Sequence, residues 1–230
     1  MEKIAFIGGF DKTDLIMQVA KLIEYMGKEV LVVDATGMQK SRFIIPTMQA
    51  EKQYIATHEK VDVAIGFQTL DEIKKYKSME TKQNFEYDYM LIDIDSYRGY
   101  YYFGVKTEDK KYFVTSFDLY SLRKGLQVFK RLETPTEVTK VEFTKEMLPD
   151  EDNYLNYLSK SLKIKWNSDI IYFPFDTGDL NAIYANQRTG RIRIKGLSTQ
   201  YTDGISYIAQ DITNCSDSDI KKAFRLLEKN

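Results

Sequence analysis

The sequence predicts an α/β protein, a doubly wound, mostly parallel sheet flanked by helices on both faces. Three stretches carry that expectation. Residues 3–7 are an apolar run that gives way to Gly8-Gly9 and then to apolar residues at helical spacing. Residues 30–33 are a second apolar run ending at Asp34, and the two strands with their helix make a βαβ unit of roughly thirty residues. Residues 87–93 form a third run that again delivers an aspartate, Asp93, at its carboxyl end. In open parallel sheets the ligand crevice lies at those ends, so Asp34 and Asp93 are expected on one edge with Lys12.

The first strand is apolar throughout, as a central parallel strand is. Leu15, Ile16, Val19, Ala20, Leu22, Ile23 and Met26 mark the helix after it, and Gly27 ends that helix. From Ala35 to Lys60 the pattern weakens around Pro46 and reads as loop with one short helix. Residues 61–65 read as a short strand and residues 70–76 as a helix. Tyr97, Arg98, Tyr100, Tyr101, Tyr102 and Phe103 follow the third run. They read either as a loop offering a contact surface, since Tyr and Arg are favoured interface anchors, or as a partly buried loop and edge strand.

Strands are expected over residues 112–115 and 138–143, with helices over 119–132 and 154–162. Residues 170–176 read as the last buried strand, with Pro174 at its exit, where a missing donor is tolerated. Leu180, Ile183 and Tyr184 mark the next helix. Arg188, Arg191, Arg193 and Lys195 make a small basic stripe, read as a solvated loop in preference to a nucleic-acid contact. Two helices close the chain. Over residues 216–229, Ile220, Ala223, Phe224 and Leu227 form an apolar stripe among Lys221, Lys222, Arg225 and Lys229. Packing onto the domain is preferred there to lying on a membrane surface.

At 230 residues the chain has the length of one domain, taken as 1–230. Lys plus Arg number 33 against 34 for Asp plus Glu, so no global field points to nucleic acid or to an anionic membrane. Cys215 is the one cysteine and His58 the one histidine, which excludes an intramolecular disulfide framework and a His-rich metal site. With no long apolar run and no basic leader, the expectation is a cytoplasmic protein.

The order of apolar strand, glycine pair, Lys12-Thr13 and helix is that of a phosphate-binding loop. Glycines let backbone N–H groups curl around phosphate oxygens, the helix start points at them, and Lys and Thr add a charge and a magnesium ligand. Against the pattern G-x-x-x-x-G-K-[ST], Lys12 and Thr13 fit, while Phe6 and Asp11 stand where the two glycines belong. A carboxylate before the lysine repels phosphate by several kcal/mol on an order-of-magnitude scale in a partly dry site. Asp11 could instead pair with Lys12 and take the place of a phosphate, a point the sequence leaves open. Two readings stay open on these residues: a working phosphate site, or a Gly-Gly turn that binds nothing.

Taken in order, Gly8, Gly9, Lys12 and Thr13, the Asp34 strand, the Asp93 strand and the exit at Pro174 and Asp176 resemble the MinD/ParA family of deviant Walker A ATPases, including the pilus-assembly relatives TadZ and CpaE. The resemblance spans nearly the whole chain. It implies a P-loop NTPase-like fold of the SIMIBI class and Mg-ATP as cofactor. Gly8, Gly9 and Lys12 would lie at the phosphates, Thr13 on magnesium, Asp93 on magnesium through water, and Asp34 near the attacking water. Pro174 and Asp176 would border the base. It further implies a homodimer across the loop edge, protein partners in a cell-surface machine such as a pilus or secretion system, and a place in the cytoplasm or at the inner face of the membrane. Departures temper this. The family's signature lysine falls at Ile7, its switch I aspartate at Thr36, and its adenine-reading asparagine near Thr144. The leading expectation is therefore a degenerate site that binds Mg-ATP weakly or not at all. The alternatives are a slow but functional ATPase and a ParA-like DNA partitioning protein using the 188–195 stripe.

Overall fold

The computed structural model of the chain describes residues 1–47, 51–81, 85–145 and 149–228. Its centre is an eight-stranded sheet in the order β3-β4-β2-β5-β1-β6-β7-β8. These strands are β1 (Glu2–Ile7), β2 (Val30–Asp34), β3 (Tyr54–His58), β4 (Val61–Ile65), β5 (Tyr89–Ile94), β6 (Lys110–Ser116), β7 (Thr136–Thr144) and β8 (Ile164–Pro174). All neighbours pair in parallel except β3 with β4, so the predicted doubly wound architecture holds.

Alternation along the central strands supplies the two cores. Ile4 and Phe6 of β1, Val32 of β2 and Leu91 of β5 face helices α1 (Thr13–Tyr25), α8 (Thr199–Thr213) and α9 (Asp217–Glu228). Ala5 and Ile7, Leu31 and Val33, and Met90 and Ile92 face the other way. They pack against α3 (Leu70–Tyr76), α4 (Tyr97–Tyr102), α5 (Leu119–Leu126) and α6 (Pro149–Ser159). A strand buried on both faces must be apolar at every position, which is why these runs were legible. Alternation along β7 sends Val138 to the second core and Val141 and Phe143 to the first, and the register shift opposite Val138 and Lys140 is taken up by extra residues in β8.

Four expectations are corrected. The segment read as loop up to Lys60 contains β3 as well as the short helix α2 (Ser41–Ile44). Its hairpin to β4 turns through Glu59 and Lys60 at φ 48° and 70°, a left-handed pair usually marked by Asn-Gly, so the sequence signal was missing. The aromatic run is a helix, α4, begun by Ser96, whose hydroxyl accepts from the Gly99 N–H. Gly99 argues against helix by propensity, yet a Cβ there would meet the Ala35 carbonyl at 3.0 Å. The expected helix over 119–132 is α5 followed by a 3-10 turn, Gln127–Arg131. The last strand begins at Ile164, well before residue 170. Lys229, one of the basic residues of the closing helix, lies outside the described residues.

Candidate functional site

Residues 8–12 turn from the end of β1 into α1, at the carboxyl edge of the sheet. The Gly8 N–H donates to the Ile94 carbonyl at 2.9 Å, which pins the turn to β5. A Cβ on Gly8 would stand 2.0 Å from the Val114 carbonyl oxygen, and one on Gly9 2.8 Å from the Lys124 Cβ. Close packing of the loop on β6 and α5 thus requires both glycines, whatever the loop binds.

Lys12 is buried, 3 % exposed. Its Nζ lies 2.6 Å from Asp93 Oδ1, an ion pair without the alignment of a hydrogen bond, and donates to the Gly8 carbonyl at 3.1 Å. Asp11 does not pair with Lys12, the arrangement the sequence left open. Asp11 accepts from the Thr13 N–H at 3.2 Å and pairs with Lys40, which also holds Asp14 at 2.9 Å. Asp14 accepts in turn from Gln187 Nε2 of α7 (Thr177–Thr189). Burial pushes the Asp11 carboxyl up, but Lys40 and the Thr13 N–H outweigh it and hold the group below its ordinary range.

Asp34 and Asp93 are register partners across β2 and β5, so the two aspartates and Lys12 do converge. Burial raises the Asp93 carboxyl to about 6, Lys12 opposing and Asp34 reinforcing. Asp34 is 1 % exposed, and accepts from Thr36 N–H at 3.1 Å, Thr36 Oγ1 at 2.6 Å and Ser41 N–H at 3.1 Å. These bonds make it the staple of the turn into α2. Thr13, at the first position of α1, is buried.

Pro174 ends β8, and Asp176 caps α7 by accepting from the N–H groups of Gly178 and Asp179. Beside them, over the ends of β6, β7 and β8, lies a cavity of about 590 Å3 lined by Phe143, Thr144, Glu151 and Phe175 among others, but by neither Pro174 nor Asp176. The Phe10 ring, from the loop, packs 4.7 Å from Phe143 and 5.9 Å from Phe175.

Of the aromatic run expected to form a contact surface, Tyr100 and Phe103 belong to the core. Tyr101 and Tyr102 are exposed, with Tyr97 stacked on Tyr101 and Arg98 over the Tyr102 ring. More large apolar side chains are exposed on neighbouring connections of the same edge: Met38 and Phe43 after β2, Leu119 and Tyr120 after β6, and Phe175 after β8. In the basic stripe, Arg191 pairs with Glu59 at 3.2 Å.

Sequence reasoning missed Lys40, Phe10 and Glu142. Lys40 lies in a stretch with no periodicity. Glu142 had a readable signal, a carboxylate between Val141 and Phe143 in an apolar strand. It is 1 % exposed, and burial with Asp152 and Glu151 nearby raises its carboxyl to about 7, against the pull of Lys140. Among the described residues, no group of three or more His, Cys, Asp or Glu side chains is placed to hold a metal ion, and no helix is long and apolar enough to cross a membrane.

No family model and no curated protein matches this chain. Solved structures do. It is similar to the MinC:MinD cell division protein complex of Aquifex aeolicus, with TM-score 0.56 and 15 % identity over 94 % of this chain and 97 % of that one. A ParA family ATPase from Chlorobium tepidum TLS gives 0.54 and 14 % over 90 % and 96 %. An ATP complex of a McdA variant from Cyanothece gives 0.52 and 9 % over 94 % and 98 %. At such identities the likeness is one of architecture, and with the β1–α1 loop and the parallel sheet already described it gives the chain the fold of the MinD and ParA ATPases.

Proposed function

We propose that this chain is a MinD/ParA-like protein with a degenerate nucleotide site, working through protein contacts as a positioning or assembly factor. The cell-surface machine it serves, a pilus or secretion system at the inner face of the membrane, is taken from the resemblance to TadZ and CpaE. One observation carries the reading: the charges of the loop neutralise one another. Lys12 faces Asp93 at 2.6 Å, and Asp11 is held by Lys40. Phosphoryl transfer is catalysed by positioning and by charges free to meet the phosphates and the metal. Here the lysine is occupied, a carboxylate stands beside it, and Asp34 already accepts three hydrogen bonds. Thr13 and Asp93 are the donors left for magnesium, and Asp93 is already taken by Lys12, so the set fits a hydrolytic Mg-ATP site poorly. The exposed apolar residues along the same edge support a contact role, a homodimer across that edge being the first expectation.

Titration calorimetry with ATP, with and without magnesium, tests this. No binding at micromolar ATP is expected. Micromolar affinity that disappears in Lys12→Ala would overturn the reading in favour of the slow ATPase, which the convergence of Lys12, Thr13 and Asp93 on one corner favours as the second choice.

A further inference from the structure

We propose that the cavity over the ends of β6, β7 and β8 is a binding site for an organic cation, a guanidinium or ammonium group on an alkyl stem. This inference does not rest on the function proposed above. The cavity, about 590 Å3, is walled by the rings of Phe143, Phe175 and Phe117, and its polar lining includes Glu151 and Asp118. Aromatic faces and carboxylates together are the surroundings that hold such cations, through the ring quadrupole on one side and charge on the other.

Among the described residues, one carboxylate oxygen on the cavity lining and one on the strand below it have no hydrogen-bond partner. Glu151 Oε2, on the α6 wall, is shielded from solvent and accepts no hydrogen bond. Glu142 Oε1 is in the same condition in a residue 1 % exposed. Strand alternation puts Glu142 on the face of β7 that carries Thr144, which lines the cavity, and beneath the helix that carries Glu151. Buried carboxylate oxygens are almost always hydrogen-bonded in a complete site, and a bare one on the wall, close enough to act on the Glu142 carboxyl beneath it, calls for a donor with positive charge. Lys140, the cation that acts on Glu142, is already held by Asp152 and Asn156. Asp118 keeps its charge at the mouth because Ser116 and Ser121 donate to it, against its slight burial. Lys145, also on the lining, is outnumbered by these carboxylates. A guanidinium reaching past Phe175 would give Glu151 its missing donors and lower the cost of ionising Glu142.

The test is a two-dimensional NMR titration of the full chain with agmatine, and in parallel with a short neutral-capped peptide carrying one arginine. Saturable shifts confined to residues around Phe143, Phe175 and Glu151 are expected, with affinity at least about tenfold weaker in Glu151→Gln and in Phe175→Ala, both at partly exposed positions. Equal affinity for the two probes assigns the site to the cationic head group alone, and tighter binding of the peptide assigns it to a partner's side chain; either result supports the site. Absence of saturable shifts up to tens of millimolar, affinity unchanged in Glu151→Gln, or adenosine perturbing these residues where agmatine does not, each overturns it.

Discussion

Two corners of the carboxyl edge, the β1–α1 loop and the β7–α6 cavity, bury similar charges and treat them in opposite ways. In the loop corner the buried charges have partners, Lys12 facing Asp93 and Asp34 accepting three hydrogen bonds, and the half-buried Asp14 is held by Lys40 and Gln187. In the cavity corner Glu142 and Glu151 carry oxygens that none of the described residues meets. Burying a charge without a partner costs several kcal/mol on an order-of-magnitude scale, so such a group either holds a proton, as Glu142 does with its carboxyl raised to about 7, or is met by a cation from outside. The corner that looks like a nucleotide site in the sequence is the self-satisfied one.

The strongest way to break this contrast is to unpair the loop. Lys12→Ala leaves Asp93 as a buried carboxylate without a counter-charge, and about 3–5 kcal/mol of stability should be lost at pH 7.5. Asp93→Asn in the same background should restore most of it, because the amide carries no charge to strand. Urea unfolding of the two variants and the parent measures both. A loss below about 1 kcal/mol would mean that the pair is loosely made and that Lys12 is free for phosphate after all.

The cavity corner should respond to pH instead. A carboxyl raised to about 7 keeps, in the folded state, a proton that the unfolded chain gives up near the usual 4.5. The folded state then binds more protons across that window, so stability falls as pH rises from about 4.5 to about 7, by up to about 3 kcal/mol. Glu142→Gln should remove that fall and be the more stable protein at pH 8. Asp93, raised to about 6, adds a decline of the same sign between about 4 and 6, which should persist in the variant. Urea midpoints from pH 4.5 to 8 separate the two. Parallel curves for parent and variant would show Glu142 already partnered in solution.

The fold was legible and the use of its charges was not. Strands β1, β2 and β5 announce themselves because burial on both faces leaves no room for a polar residue over Ile4–Ile7, Val30–Val33 and Tyr89–Ile92. The meeting of Lys12 and Asp93 followed from topology, since parallel strands bring their carboxyl ends together. The partner of Asp11 did not follow, because Lys40 arrives from a stretch with no periodic pattern, and long-range ion pairs leave no mark in local spacing. The aromatic run misled for a related reason: Tyr100 and Phe103 face the core only because the segment is helical, and Gly99 hides the helix.

The smallest expected effect concerns Lys40, which joins Asp11 and Asp14 at the mouth of the loop. Asp11 has a half-exposed side chain and is screened by water, so Lys40→Met should cost about 1 kcal/mol or less and the cost should shrink further in roughly 0.5 M salt. Asp14 stays useful without it, because a carboxylate in the first turn faces the positive end of α1. For ATP the sign is the informative part. If Lys40 merely blocks a working phosphate site, removing it should admit nucleotide. If the loop is degenerate, removing it bares two carboxylates toward any incoming phosphate, and ATP binding should be no stronger than in the parent. A gain of tenfold or more in ATP affinity on calorimetry would place the loop corner with the cavity corner, as a site awaiting its ligand, and dissolve the difference between them.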